Sequence, residues 1–254
     1  MTAYTAAMRR SPPDRHGLRK AAASALFALA VSFATPARAE GLAPVAVELV
    51  LAVDCSYSVN DVEYGLQMRG IAAAFRDPEV VALIGDLKDG VAVSLFHWAS
   101  TANNKQAVPW RLLTDAASIH SFAAEVERAP RSRLGYFTAI GHAINYGVKL
   151  LETNAFAGRQ SKIDISGDGR SNAGPEPDIA RLAAFARGIT INGLAVLSAQ
   201  PSVKGYPSIA DYYAQHVVIG PSSFVIKVES YNDFGAAMKR KLLRELGPQV
   251  AMRN

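Results

Sequence analysis

The chain is expected to form an α/β fold: a doubly wound, mostly parallel six-stranded sheet with one antiparallel edge strand and helices on both faces. Three observations lead there. Apolar runs alternate with amphipathic segments through residues 40–254, the order that builds a parallel sheet from strand–helix–strand units. The first run, Val45 to Val53, is almost continuously apolar, as a strand buried on both faces must be. A third run, Gln106 to Leu112, contains Pro109, which cannot donate a ladder hydrogen bond and so belongs on an edge.

Before these elements, Arg9, Arg10, Arg15, Arg19 and Lys20 precede an apolar stretch from Ala21 to Thr35, then Pro36 and Ala37-Arg38-Ala39. A charged region, a short apolar region and a small-x-small end form the pattern of a secretory signal spanning 1–39 and cleaved after Ala39. The apolar stretch is shorter than the ~20 residues that span a bilayer, which disfavours an uncleaved anchor. Ser11-Pro12-Pro13-Asp14 after the arginine pair disfavour twin-arginine export. The expected destination is periplasmic or secreted.

Of 27 Lys/Arg and 22 Asp/Glu, residues 1–39 hold six and one, leaving 21 of each in 40–254. The basic balance therefore belongs to the signal, and the neutral remainder gives no charge argument for nucleic acid or an anionic membrane. No later stretch is long and apolar enough to span a membrane. The single cysteine, Cys55, rules out an internal disulfide and reads as a small buried apolar side chain.

The elements follow in order. Val45–Val53 is the central strand. Val62, Leu66, Ile71, Ala74 and Phe75 share one helical stripe, with Asn60 and Glu63 spaced as a capping box. After a short helical segment, Val91–Trp98 is the second strand. Ala102 to Lys105 reads as a hairpin turn into the edge strand 106–112. Residues 115–128 are helical and 130–137 a loop; Thr138 opens a helix whose stripe is Ile140, Ile144, Val148 and Leu151. A short strand, 162–166, is broken by Gly167-Asp168-Gly169. Pro177 suits the first turn of a helix, followed by a strand at 189–197, a short helix at 209–215, a last strand at 223–228 and a last helix at 233–246.

Asp54, Ser56 and Ser58 stand directly after the central strand, a carboxylate and two hydroxyls on alternate residues. A hard divalent cation takes such oxygen ligands. Asp168 follows the fourth strand, so both acids fall on the carboxyl edge where open α/β sheets bind ligands. Two carboxylates balance a dication, and neutral hydroxyls fill further positions without quenching its attraction for another anion.

The ordered set Asp54, Ser56, Ser58, Thr138, Asp168 resembles the metal-ion-dependent adhesion site of von Willebrand factor A domains. The run Asp164 to Asn172, with the C-terminal Lys239 to Leu246, is similar to an exported bacterial subgroup known only as a domain of unknown function. The resemblance implies a vWA/Rossmann-like domain over 40–254 and ligation by Ser56 and Ser58. Asp54 and Asp168 would bind directly or through water, with Thr138 joining in one of two conformations. Mg²⁺ suits this arrangement, with Mn²⁺ or Ca²⁺ as the other candidates. It further implies a binding module, not an enzyme, whose open coordination position takes a carboxylate of a protein partner.

Two positions depart from the pattern: Gly167 stands where a hydroxyl residue usually precedes the second acid, and Asp164 is an acid inside a strand. Asp164 either supports the site from behind or makes a structural hydrogen bond elsewhere. Tyr57, Arg170 and Asn172 are candidates for a partner-facing rim. His97 is either a packed, hydrogen-bonded histidine or a ligand contact.

Other chemistries fit less well. The alternative function is a metal-assisted, phosphatase-like hydrolase with Asp54 as nucleophile, but Ser56 stands where a second acid is expected. Reading 164–169 as a calcium loop puts Pro175 at the closing position. No Gly-x-Ser-x-Gly elbow supports a serine hydrolase.

Overall fold

The structure, a computed structural model, describes residues 41–100, 104–197 and 205–247. The expected signal and residues 102–103 of the expected hairpin turn lie outside the described residues. The elements are β1 (Ala43–Asp54), α1 (Asp61–Arg76), α2 (Pro78–Asp86), β2 (Val91–Trp98), β3 (Lys105–Leu113), α3 (Ala116–Arg128), α4 (Ile140–Glu152), β4 (Phe156–Gly167), α5 (Pro177–Phe185), β5 (Ile189–Val196), α6 (Ile209–His216), β6 (Val225–Val228) and α7 (Phe234–Leu246).

Strand order is β3-β2-β1-β4-β5-β6. Each neighbouring pair is parallel except β2–β3, and that antiparallel ladder carries register shifts between Val93 and Phe96. β1 lies centrally because both of its faces are covered. Val47, Leu49, Leu51 and Val53 join a core with Phe75, Phe122, Phe234 and Leu242 from α1, α3 and α7. Val50 and Ala52 join a second core with Ile140, Ile144, Ala180 and Tyr213 from α4, α5 and α6. A strand with two buried faces shows no polar alternation, which is why Val45–Val53 reads as a continuous run.

Helix starts follow local chemistry. Asn60 Oδ1 accepts Val62 N–H at 2.9 Å and Glu63 N–H at 3.0 Å, while Glu63 Oε2 accepts Asn60 N–H at 2.8 Å. That capping box fixes where the chain leaves the turn after β1. Pro78 and Pro177 occupy first-turn positions, where a missing N–H costs nothing.

Several boundaries differ from expectation, and the starts of β4 and α4 have identifiable causes. β4 begins at Phe156 rather than Lys162, because residues 156–161 pair with the start of β1. Its extension, Gly158-Arg159-Gln160-Ser161, is polar and carries no strand signal. Buried Glu48 of β1 ties it down, accepting Gly158 N–H and Asn154 Nδ2, each at 2.7 Å. Helix α4 starts at Ile140, so Thr138 precedes it instead of opening it. Thr138 is engaged by a neighbouring loop: its N–H donates to Asn172 Oδ1 at 2.8 Å and its carbonyl accepts Asn172 N–H at 2.9 Å.

The sheet order reverses direction between β1 and β4. Chain crossovers run outward to β2 and β3 on one side and to β5 and β6 on the other, leaving a crevice above the carboxyl ends of the two central strands. Asp54 ends one of these strands and Asp168 directly follows the other.

Candidate metal centre

Asp54 is fully buried at the end of β1. Its Oδ1 accepts Ser56 N–H at 2.7 Å, and Gln67 Nε2 donates to its carbonyl at 3.1 Å. The chain then turns, Val59 N–H returning to the Ser56 carbonyl at 3.1 Å. This turn brings the Ser56 and Ser58 hydroxyls to 3.2 Å from each other, and Ser58 Oγ donates to Asp168 Oδ1 at 2.7 Å. Four of the five expected donors are thus joined by short contacts. Thr138 lies alongside: a side chain at Gly169 would come 3.6 Å from Thr138 Oγ1, so the bare glycine leaves that hydroxyl beside the Asp168 loop.

Arg131 clamps the serine turn from the loop before α4. Its guanidinium donates to the carbonyls of Val59 and Ser56 and pairs with Asp61 at 2.6 Å. Nothing local in the sequence marked this role, since the contact joins residues some 70 positions apart.

The electrostatics are unfavourable without a cation. Burial first, then the neighbouring Asp168 charge, pushes the Asp54 carboxyl up to about 8. Burial likewise raises Asp168, although the Ser58 and Tyr231 hydroxyls pull it down. Among the described residues, nothing completes a hydrogen bond to buried Asp54 Oδ2, Asp168 Oδ2 or the Tyr231 hydroxyl; Tyr231 stands close enough to act on Asp168 but not in bonding geometry. Buried polar atoms are normally paired, and two carboxylates sharing one site cannot both ionise cheaply. A dication would reverse both penalties. Among the described residues no group of three or more His, Cys, Asp or Glu is gathered as a metal site. The donors here are instead two carboxylates with hydroxyls, a set that fits a hard, partly hydrated cation.

The glycine that breaks the pattern has a steric cause. A Cβ on Gly167 would fall 2.6 Å from the Tyr213 hydroxyl, 2.8 Å from Asp54 Oδ2 and 3.2 Å from the Trp98 ring. A side chain there would have to displace the Tyr213 hydroxyl and the Asp54 carboxylate.

The remaining candidates separate. Tyr57 is 75% exposed, its ring 5.4 Å from that of Tyr136, which is 74% exposed. The two tyrosines form an aromatic rim on a cleft of about 310 Å³ that Cys55, Arg131, Arg133 and Leu134 also line, and Phe137, next in the chain, is exposed. Arg170 is exposed. Asn172 works from behind, holding Thr138.

His97 is not on the rim: it is fully buried, with Nδ1 3.0 Å from Ser132 Oγ and Nε2 3.3 Å from the Tyr64 hydroxyl. Tyr64 spends its own proton on the Ala129 carbonyl. Nε2–H therefore donates to Tyr64 and Nδ1 accepts from Ser132, a neutral ring. Asp164 does not support the site. It faces α7 and pairs with fully buried Lys241 at 2.9 Å, four residues and about 13 Å of strand before Asp168. Cys55 is buried, and burial pushes its thiol up.

Sequence reasoning missed Arg131, Tyr213 and Tyr231. Tyr231 follows β6 at the same carboxyl edge, so its position was a usable signal; the other two offered none.

A family model described as "Protein of unknown function (DUF1194)" matches residues 44–250. No curated protein matches the chain. Among solved structures, proximal thread matrix protein 1 from the mussel byssus, with a zinc-occupied MIDAS motif, aligns with a TM-score of 0.57 at 18% identity. That match covers 79% of this chain and 48% of that one. The pilus adhesin SpaC from Lactobacillus rhamnosus GG aligns at 0.55 and 13% identity, over 80% and 31% of the two chains. A von Willebrand factor type A protein from Catenulispora acidiphila aligns at 0.55 and 15% identity, over 80% and 43%. The chain spans under half the length of each. At these identities the likeness establishes the fold, that of a von Willebrand factor A domain.

Proposed function

The chain belongs to the DUF1194 family of proteins of unknown function, and we propose that it is an exported, non-enzymatic binding module that uses a divalent cation to engage a carboxylate of a protein partner. Asp54, Ser56, Ser58, Thr138 and Asp168 would hold the cation, with Mg²⁺ preferred over Mn²⁺ or Ca²⁺. One observation carries this reading. Two buried carboxylates, each with an oxygen lacking a partner among the described residues, are linked through the serine turn at the switch point of the sheet, Ser56 N–H holding Asp54 and the Ser58 hydroxyl holding Asp168. Bound there, the cation supplies Lewis acidity toward an incoming anion. The protein orients the donors and, through Arg131, keeps the serine turn in place.

The rim supports a protein partner. Tyr57 and Tyr136 are large, exposed and line the cleft, and exposed aromatic side chains beside arginine are the composition of binding surfaces. Among the described residues no helix is long and apolar enough to cross a membrane. The mussel protein's zinc-occupied motif is a precedent for this fold carrying metal at such a site. No observation favours the hydrolase alternative, since Asp54 is fully buried and its Oδ1 is held by a backbone N–H.

Calorimetric titration of the purified protein with Mg²⁺ and Mn²⁺ tests the proposal. One-to-one binding is expected, abolished in Asp54→Ala. At 100 times the dissociation constant the cation should add about 2.7 kcal/mol of stability, removed by chelator. No heat and no thermal shift with either metal would refute the site.

A further inference from the structure

We propose that Tyr213 supplies the hydroxyl that Gly167 lacks and acts as a positioning residue on Asp54, an inference that rests on the cation reading above. The point where a side chain at position 167 would start lies 2.6 Å from the Tyr213 hydroxyl and 2.8 Å from Asp54 Oδ2. A tyrosine from α6 therefore reaches, with its polar end, the place that a hydroxyl residue on β4 would have occupied.

Three further features make this a built arrangement. Tyr213 is fully buried, and among the described residues its hydroxyl has no hydrogen-bond partner; Asp54 Oδ2 has none either. The two are chemically complementary, because a phenol donates and a carboxylate only accepts. Both lie within 3 Å of one point, so a small rotation or one bridging water joins them. Two glycines make room for the ring: Gly167 at its hydroxyl, and Gly193 of β5, where a Cβ would come 3.0 Å from Tyr213 Cδ1. Phenylalanine would fill the same apolar pocket without the cost of burying an unpaired hydroxyl. The hydroxyl is explained once it bonds Asp54.

The consequence is positional. Ser56 N–H holds Oδ1, and Tyr213 holds Oδ2 when the carboxylate is charged. The Asp54 carboxylate is then held at both of its oxygens.

Tyr213→Phe tests the inference, read against metal-free stability. The expected result is a fall in Mg²⁺ and Mn²⁺ affinity of about tenfold, the worth of one hydrogen bond to a charged group, with no drop in the melting temperature of the metal-free protein. A second measurement uses the unaltered protein: a buried hydroxyl proton resonance, absent in Tyr213→Phe, should shift on addition of Mg²⁺. Affinity within twofold of the unaltered protein, or a resonance that ignores Mg²⁺, overturns the role of Tyr213 and leaves the cation site standing. A loss of affinity matched by a lower metal-free melting temperature also overturns it, as a packing effect. Failure of the unaltered protein to bind either cation overturns both readings together.

Discussion

Asp54, Ser56 and Ser58 are placed by three short contacts, and the space beside Asp54 depends on a residue without charge or motif value. Gly167 admits the Tyr213 hydroxyl and Asp54 Oδ2 to one small space. His97, on the neighbouring strand, shows the opposite economy: a buried imidazole held neutral between Ser132 and Tyr64. Burial, aided by Lys105 and Arg131, lowers it from 6.5 to about 4. The folded state therefore resists its protonation while the unfolded chain does not. The stability it contributes is complete above pH 6.5 and is lost as pH falls from 6.5 toward 4, by on the order of 3 kcal/mol at ~1.4 kcal/mol per unit. Chemical denaturation across this range should show a steeper acid loss in the unaltered protein than in His97→Gln. Equal slopes would contradict the assignment of the neutral ring.

At the scale of elements, helix α7 is fixed to the sheet by a buried polar network on the core side. Lys241 pairs with Asp164 at 2.9 Å and with Glu245 at 2.6 Å. Glu245 also accepts Asn192 Nδ2 at 2.7 Å, and Lys162 donates to the Glu245 carbonyl. Burial raises Asp164 to about 7 against the pull of Lys241. Replacing one member strands the others: Asp164→Ala is expected to cost about 3–5 kcal/mol and to leave cation affinity per folded molecule unchanged. Calorimetry beside a denaturation curve separates the two, and a fall in affinity would return Asp164 to the site. Both readings of this acid were open in the sequence, because a strand period gives the face of the sheet but not what covers it. The capping box at Asn60 and the proline starts of α2 and α5 were legible for the converse reason, that their partners lie within a few residues. The polar extension of β4 was invisible, since its pairing with the start of β1 joins segments more than a hundred residues apart.

For the whole molecule, export and the cation site make separate claims. Residues 40–254 carry equal numbers of acidic and basic side chains, so attraction for a partner must be local to the crevice instead of a property of net charge. Mass spectrometry of protein recovered outside the cytoplasm of an expressing bacterium should give a chain beginning at Glu40; an intact N-terminus would refute cleavage after Ala39. Strand and helix alternation, the central strand, the antiparallel edge and the placement of both acids on one edge were readable from residue order. Hydrophobic period and turn chemistry act over short stretches, and crossovers have a fixed hand. What folding alone settled is which distant groups meet in the crevice. Arg131 clamps the serine turn, Asn172 holds Thr138, Asp164 turns away toward α7, and Tyr213 stands over the glycine before Asp168. These are contacts between elements, set by packing and by the need to pair every buried polar atom, and no local pattern in the chain encodes them.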